Sequence, residues 1–170
     1  LDVNSSVTDK RMRECMGIVC CHGYSTATSI ADAANRILRA HVFDAVDMTY
    51  DQQVTDVVRP IMRLIDRYPY CKSAVLLVDM GSLTDLVSAL RQKTDIDIVT
   101  ISNASTGLAL EVGSALRSGE DVEASLDQIA SLCTPTFSVS RCEHVSEAIV
   151  FCSESGMDAA DMIRRLFAES

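Results

Sequence analysis

Four short apolar runs, set apart by stretches of helical periodicity, constrain this chain more than any other feature. Met16-Gly17-Ile18-Val19-Cys20-Cys21, residues 42–48, Ser73-Ala74-Val75-Leu76-Leu77-Val78 and residues 96–101 each have the length and apolar content of a buried strand. Ile30, Ala33, Ala34, Ile37 and Leu38 fall three or four apart, which predicts a helix over residues 26–40. Val54, Val57, Val58, Ile61, Met62 and Ile65 repeat that spacing. Pro60 interrupts them, so this segment is expected either to kink or to divide into two turns joined at the proline. Leu83, Leu86, Val87 and Leu90 mark the next helix, with Thr84 and Asp85 near its start. Leu108, Val112, Ala115 and Leu116 mark another that stops near Gly119, and Val122, Leu126, Ile129, Ala130 and Cys133 a further one ended by Thr134-Pro135. Strands that alternate with helices are joined by crossovers and lie parallel. The expected fold is therefore α/β: a three-layer, doubly wound, mainly parallel sheet with helices on both faces. Residues 148–151 and the face formed by Ala159, Ile163, Leu166 and Phe167 add a C-terminal strand-helix unit.

A chain of 170 residues with 48% hydrophobic content suits one domain with an appendage. Residues 1–14 are polar and charged and read as a linker or arm. Residues 15–135 form the domain, and residues 136–170 are an extension or the start of a following module. The net charge of −9 argues against a nucleic-acid groove, which is usually basic. No apolar stretch approaches the roughly 20 residues that cross a bilayer, and no signal-peptide pattern opens the chain. Seven cysteines, an odd number without framework spacing, lie partly inside apolar runs and read as buried small hydrophobes in a reducing compartment. A cytoplasmic location follows.

In open parallel sheets the ligand crevice lies beyond the carboxyl ends of the strands. His22, Asp79 and Asn103 each follow a predicted strand at that end. His22 is delivered into a Gly23-Tyr24-Ser25-Thr26 turn at a helix start, where backbone N–H groups and hydroxyls can hold an anion. If the first and third predicted strands are neighbours, the Asp79 carboxylate lies beside the imidazole. A carboxylate that accepts from Nδ1–H fixes the tautomer, leaves Nε2 as a nucleophile, and stabilises positive character on the ring. Ser82 adds a hydroxyl on the Asp79 side. The competing reading is a histidine that fills a polar turn and an aspartate that caps the helix near Leu83. Spacing alone leaves both open.

Other chemistries fit less well. Cys20 and His22 share a strand face that Cys21 does not, and no second ligand cluster with metal spacing occurs, so no metal is expected. Cys152 sits in a strand-to-helix loop, but a phosphatase arginine is missing at Asp158, and Glu154 places negative charge where phosphate would bind. A buried structural cysteine is the expectation there. Gly23 and Gly81 form no nucleotide-binding motif, so no cofactor is expected.

The stretch over residues 18–27 and the segment Leu77-Val78-Asp79-Met80-Gly81-Ser82-Leu83 resemble the two signatures of mannose-family A domains (EIIA) of the bacterial phosphoenolpyruvate:sugar phosphotransferase system. The second loop lacks the Gly-Gly-Ser-Pro ending of transporter subunits. It is more similar to the EIIA domains embedded in transcription activators of the levanase-operon regulator type, as is Asn103-Ala104-Ser105-Thr106. The resemblance covers residues 16–131. It implies a phosphotransferase in the phosphocarrier sense, with His22 as the phosphorylated residue and Asp79 as its orienting partner. Gly23, Ser25, Thr26 and Ser82 would line the phosphoryl pocket, and Asn103 is added from its strand-end position. Phosphorylated HPr would be the donor and sugar availability the signal. The other domains of a multidomain regulator are implied partners, with a phosphotransferase B domain a further one, and the family often dimerises. Two alternatives remain: a transport subunit that passes phosphate to a B domain, and a non-enzymatic small-molecule binding domain on the same scaffold.

Overall fold

Each apolar run becomes a strand in the computed structural model, which describes residues 14–81, 83, 86–134 and 138–140. These strands are β1 (Cys15–His22), β2 (Phe43–Met48), β3 (Ser73–Val78) and β4 (Asp97–Ile101). They form one parallel sheet in the order β2-β1-β3-β4. The helices are α1 (Thr26–Leu38), α2 (Val54–Ile65), α3 (Leu86–Arg91), α4 (Thr106–Ser118) and α5 (Leu126–Leu132). The chain divides into two compact units, Leu1–Thr134 and Pro135–Ser170. The C-terminal strand-helix unit, with Cys152 and Glu154, lies outside the described residues, as do residues 1–13, Ser82, Thr84 and Asp85.

Alternation along the central strands sends side chains to two separate cores. Met16, Ile18 and Cys20 of β1 join Ala74, Leu76 and Val78 of β3 under α2 and α3. Val19 and Cys21 join Val75 and Leu77 under α1, α4 and α5. Both faces of the sheet are thus covered, as the βα rhythm requires.

The second core is built from small helical residues, among them Ala27, Ala31, Ala34, Ala109 and Ala115. They let the helices approach closely, and Phe43 fills the space that remains. A Cβ on Gly17 would stand 2.4 Å from the Phe43 ring, and one on Gly113 would stand 2.8 Å from it. The ring therefore occupies a slot that two glycines open. Phe43→Ala should cost about 3–5 kcal/mol, because a rigid sheet and two helices cannot collapse onto the void. Urea unfolding that shows a loss below about 1 kcal/mol would contradict this packing.

Three helices need comment. α2 runs as one helix through Pro60 rather than dividing there. The proline removes one hydrogen bond to the carbonyl of Asp56, but Asp56 is exposed and water can replace it. Burial of Val57, Val58, Ile61, Leu64 and Ile65 holds the helix on the sheet. α3 is described over six residues, Leu86–Arg91, directly after Thr84 and Asp85, which lie outside the described residues. The helix expected from Val122 begins at Leu126, after a turn that still buries Val122.

Candidate functional site

The strand order creates a switch point. From β1 the chain crosses to β2 on one side, then returns to β3 on the other. The helices that follow β1 and β3 cover opposite faces of the sheet, and in such sheets ligands bind beyond the carboxyl ends of the strands at this point. His22 is the last residue of β1, and Asp79 follows the last residue of β3. The two strands pair in register up to Cys20 opposite Val78, which brings the two residues together.

Both carboxylate oxygens of Asp79 are spent on His22. Oδ1 lies 2.9 Å from the ring Nδ1, and Oδ2 accepts the His22 backbone N–H at 2.9 Å. An ionised carboxylate only accepts, so in the neutral ring Nδ1 carries the proton and Nε2 keeps its lone pair. Among the described residues Nε2 has no partner, and the His22 side chain is 24% exposed. The sequence left the contact to the ring as one of two readings and gave no sign of the clamp on the backbone.

The turn after His22 is shaped by Gly23. Its φ is +112°, and a Cβ there would stand 2.6 Å from the Thr26 hydroxyl. Its N–H donates to the carbonyl of Met48 at 2.9 Å, which ties the turn to β2. Gly23→Ala should cost about 1–3 kcal/mol from backbone strain and should displace the turn. Thermal unfolding within about a degree of wild type would refute this.

Ser25 stands at the N-cap of α1, yet its side chain makes no cap hydrogen bond. Asp47 of β2 takes that role: its Oδ1 accepts from Ala27 N–H at 2.7 Å and from Thr28 N–H at 3.4 Å, and its Oδ2 accepts from the Thr28 hydroxyl. Among the described residues, the N–H groups of Tyr24, Ser25 and Thr26 have no acceptor. Sequence reasoning missed Asp47. The available signal was a carboxylate one residue from the carboxyl end of β2, between Val46 and Met48.

Exposed Tyr24 and Tyr50 flank the turn and pack edge to face, with ring centroids 5.6 Å apart and planes at 80°. The Tyr50 hydroxyl lies 3.7 Å from where a Gly23 Cβ would stand, and exposed Met80 follows Asp79. Asn103 shares the same sheet edge in a left-handed conformation, φ +60°. It follows β4, two strands from β1 and roughly 10 Å away by strand spacing. No hydrogen bond joins it to His22 or Asp79 among the described residues.

Cys20 packs in the first core and Cys21 in the second, so alternation separates them. Burial above all, then the neighbouring carboxylates of Asp79 and Asp47, pushes each thiol up to about 12; Cys21 adds to the effect on Cys20. Neither is a nucleophile at neutral pH.

The fold and this geometry define a doubly wound α/β domain with a histidine braced by an aspartate across its switch point. Residues 17–130 match the EIIA-man family model, described as the PTS system fructose IIA component. The chain belongs to that family. It is 30% identical over 164 residues to the transcriptional regulatory protein DagR of Salmonella typhimurium, covering 92% of this chain and 17% of that protein. It is 37% identical over 94 residues to the transcriptional regulatory protein LevR of Bacillus subtilis, covering 55% of this chain and 10% of LevR. The chain thus spans less than a fifth of the length of the curated relatives it matches. The crystal structure of a sigma-54 interaction domain protein from Enterococcus faecalis superposes with a TM-score of 0.60 at 24% identity, over 71% of this chain and 90% of that one. That of a phosphotransferase system EIIA component from Streptococcus agalactiae gives 0.57 at 19% identity, over 69% and 91%. Both likenesses concern the fold. No helix among the described residues is long and apolar enough to cross a membrane.

Proposed function

We propose that this domain accepts a phosphoryl group on Nε2 of His22 from phosphorylated HPr and acts as the regulatory, sugar-sensing part of a cytoplasmic transcription regulator. The observation that carries this reading is the double contact of Asp79 to His22, which leaves Nε2 unpartnered over a turn of free N–H groups. In the transfer, the P–N bond at the donor histidine breaks as a P–N bond to Nε2 forms. Nδ1 keeps its proton against Asp79, which offsets the positive character that develops on the ring. Gly23, Ser25 and Thr26 line the phosphoryl pocket, Ser82 is its further member by resemblance, and Asn103 lies on the same sheet edge. Tyr24, Tyr50 and Met80 supply apolar area for the donor protein around the histidine.

The regulator role is supported by sequence identity to DagR and LevR, both named transcriptional regulatory proteins. Residues 15–135 act as the phosphocarrier domain, residues 1–14 as a linker, and residues 136–170 as an extension toward the next module. Phosphorylation adds about −1.5 to −2 charges at the crevice, a change able to shift contacts with other domains or within a homodimer. Incubation with phosphoenolpyruvate, enzyme I and HPr, followed by intact-mass measurement and peptide mapping, tests the reading. One acid-labile phosphate on His22 is expected; an unmodified chain under conditions that phosphorylate HPr would sink it.

A further inference from the structure

Of the long helices that leave the carboxyl edge of the sheet, the two with a serine at the N-cap begin in different ways. At α4 the N-cap Ser105 accepts from Leu108 N–H at 3.2 Å, the ordinary arrangement in which a serine satisfies the third helical donor. At α1 the N-cap is also a serine, but the second and third helical donors, Ala27 and Thr28, are both taken by Asp47 from the neighbouring strand. These are the donors that an N-cap side chain would otherwise satisfy. Asp47 holds Thr28 a second time through its hydroxyl. The Ser25 hydroxyl is therefore released from capping three residues after His22, beside the free N–H groups of Tyr24, Ser25 and Thr26.

We infer that Asp47 is a positioning residue for phosphoryl transfer: by capping α1 from β2, it keeps the Ser25 hydroxyl and the turn N–H groups available to the incoming phosphoryl group. This rests on the reading of His22 as the acceptor. Without Asp47 the first turn of α1 has unsatisfied donors, and Ser25 is the nearest group able to rotate onto them. Doing so withdraws a donor from the transferring phosphoryl, where preorganised hydrogen bonds contribute most to rate. Asp47 also places its charge at the helix N-terminus, where the helix dipole favours it. The asparagine variant separates this charge from the hydrogen bond, because its amide oxygen can still accept from Ala27.

The test is a cycle of Ser25→Ala, Asp47→Ala and their combination in the 170-residue chain, with Asp47→Asn as the conservative variant. Transfer from phosphorylated HPr is measured against donor concentration, and thermal unfolding is followed in parallel. Asp47→Ala should lower the maximal transfer rate about 10- to 100-fold, with the donor concentration at half rate nearly unchanged. Asp47→Asn should recover most of the rate. Adding Ser25→Ala to Asp47→Ala should slow transfer no further, because both changes withdraw the same hydroxyl. Ser25→Ala should leave the unfolding temperature of wild type unchanged yet lower that of Asp47→Ala by a few degrees, since only there does Ser25 act as a cap. A rate for Asp47→Ala within twofold of wild type, or rates that simply multiply in the double variant, would overturn the inference while the His22 assignment stands. A wild-type chain that takes up no phosphate would remove that assignment itself.

Discussion

His22→Ala should take up no phosphate from phosphorylated HPr, a complete loss rather than a slower reaction. Among the described residues, the imidazole is the only ring nitrogen nucleophile at the β1–β3 switch point. The two cysteines beneath it are buried, with thiols pushed up to about 12, and cannot substitute. The fold should survive. The side chain is 24% exposed, and its removal forfeits one hydrogen bond to Asp79, worth about 1 kcal/mol. Phosphate retained by the alanine variant would redirect attention to another histidine. His41 precedes β2 at the opposite edge of the sheet and is paired with Asp44 at 3.1 Å, so phosphate there would mean that the crevice had been misread.

Asp79→Asn should slow transfer by about 10⁴-fold, the order found where an aspartate-to-asparagine change mis-sets a nucleophile's histidine partner. The double contact makes this variant more damaging than a simple loss of charge. Asp79 faces two N–H donors of the same residue, one on the ring and one on the backbone. An asparagine has one acceptor oxygen. If that oxygen serves Nδ1, the amide NH₂ meets the backbone N–H, donor against donor. If it serves the backbone, the NH₂ donates to Nδ1, moves the ring proton to Nε2, and blocks the nucleophile. Neither orientation preserves both contacts. Single-turnover transfer with quantified phosphohistidine measures the rate, and ring ¹⁵N shifts report the tautomer. A rate within tenfold of wild type together with an Nδ1–H ring would show that the carboxylate is dispensable.

Much of the site was legible because its residues fall at strand ends, and strand ends are local features of the chain. The run 16–21 announced β1, and the run 73–78 announced β3, so His22 and Asp79 could each be placed at a carboxyl edge. Pro60 left a choice between a kink and a division for the opposite reason. A proline's local penalty is readable, whereas the burial of five α2 residues that outweighs it belongs to the packed molecule.

The sequence by itself determined the alternation of strands and helices, the two-faced burial of β1 and β3, and the class of side chains at the sheet edge. Periodicity reports these because it records which way each residue faces within its own element. Tertiary structure alone decided that β1 and β3 are neighbours, that both oxygens of Asp79 close on one histidine, and that Asp47 takes over the cap of α1. Those contacts join residues 57 and 20 positions apart. They depend on the strand order β2-β1-β3-β4, which sets the partners of every strand end and leaves no trace in the period of any single element.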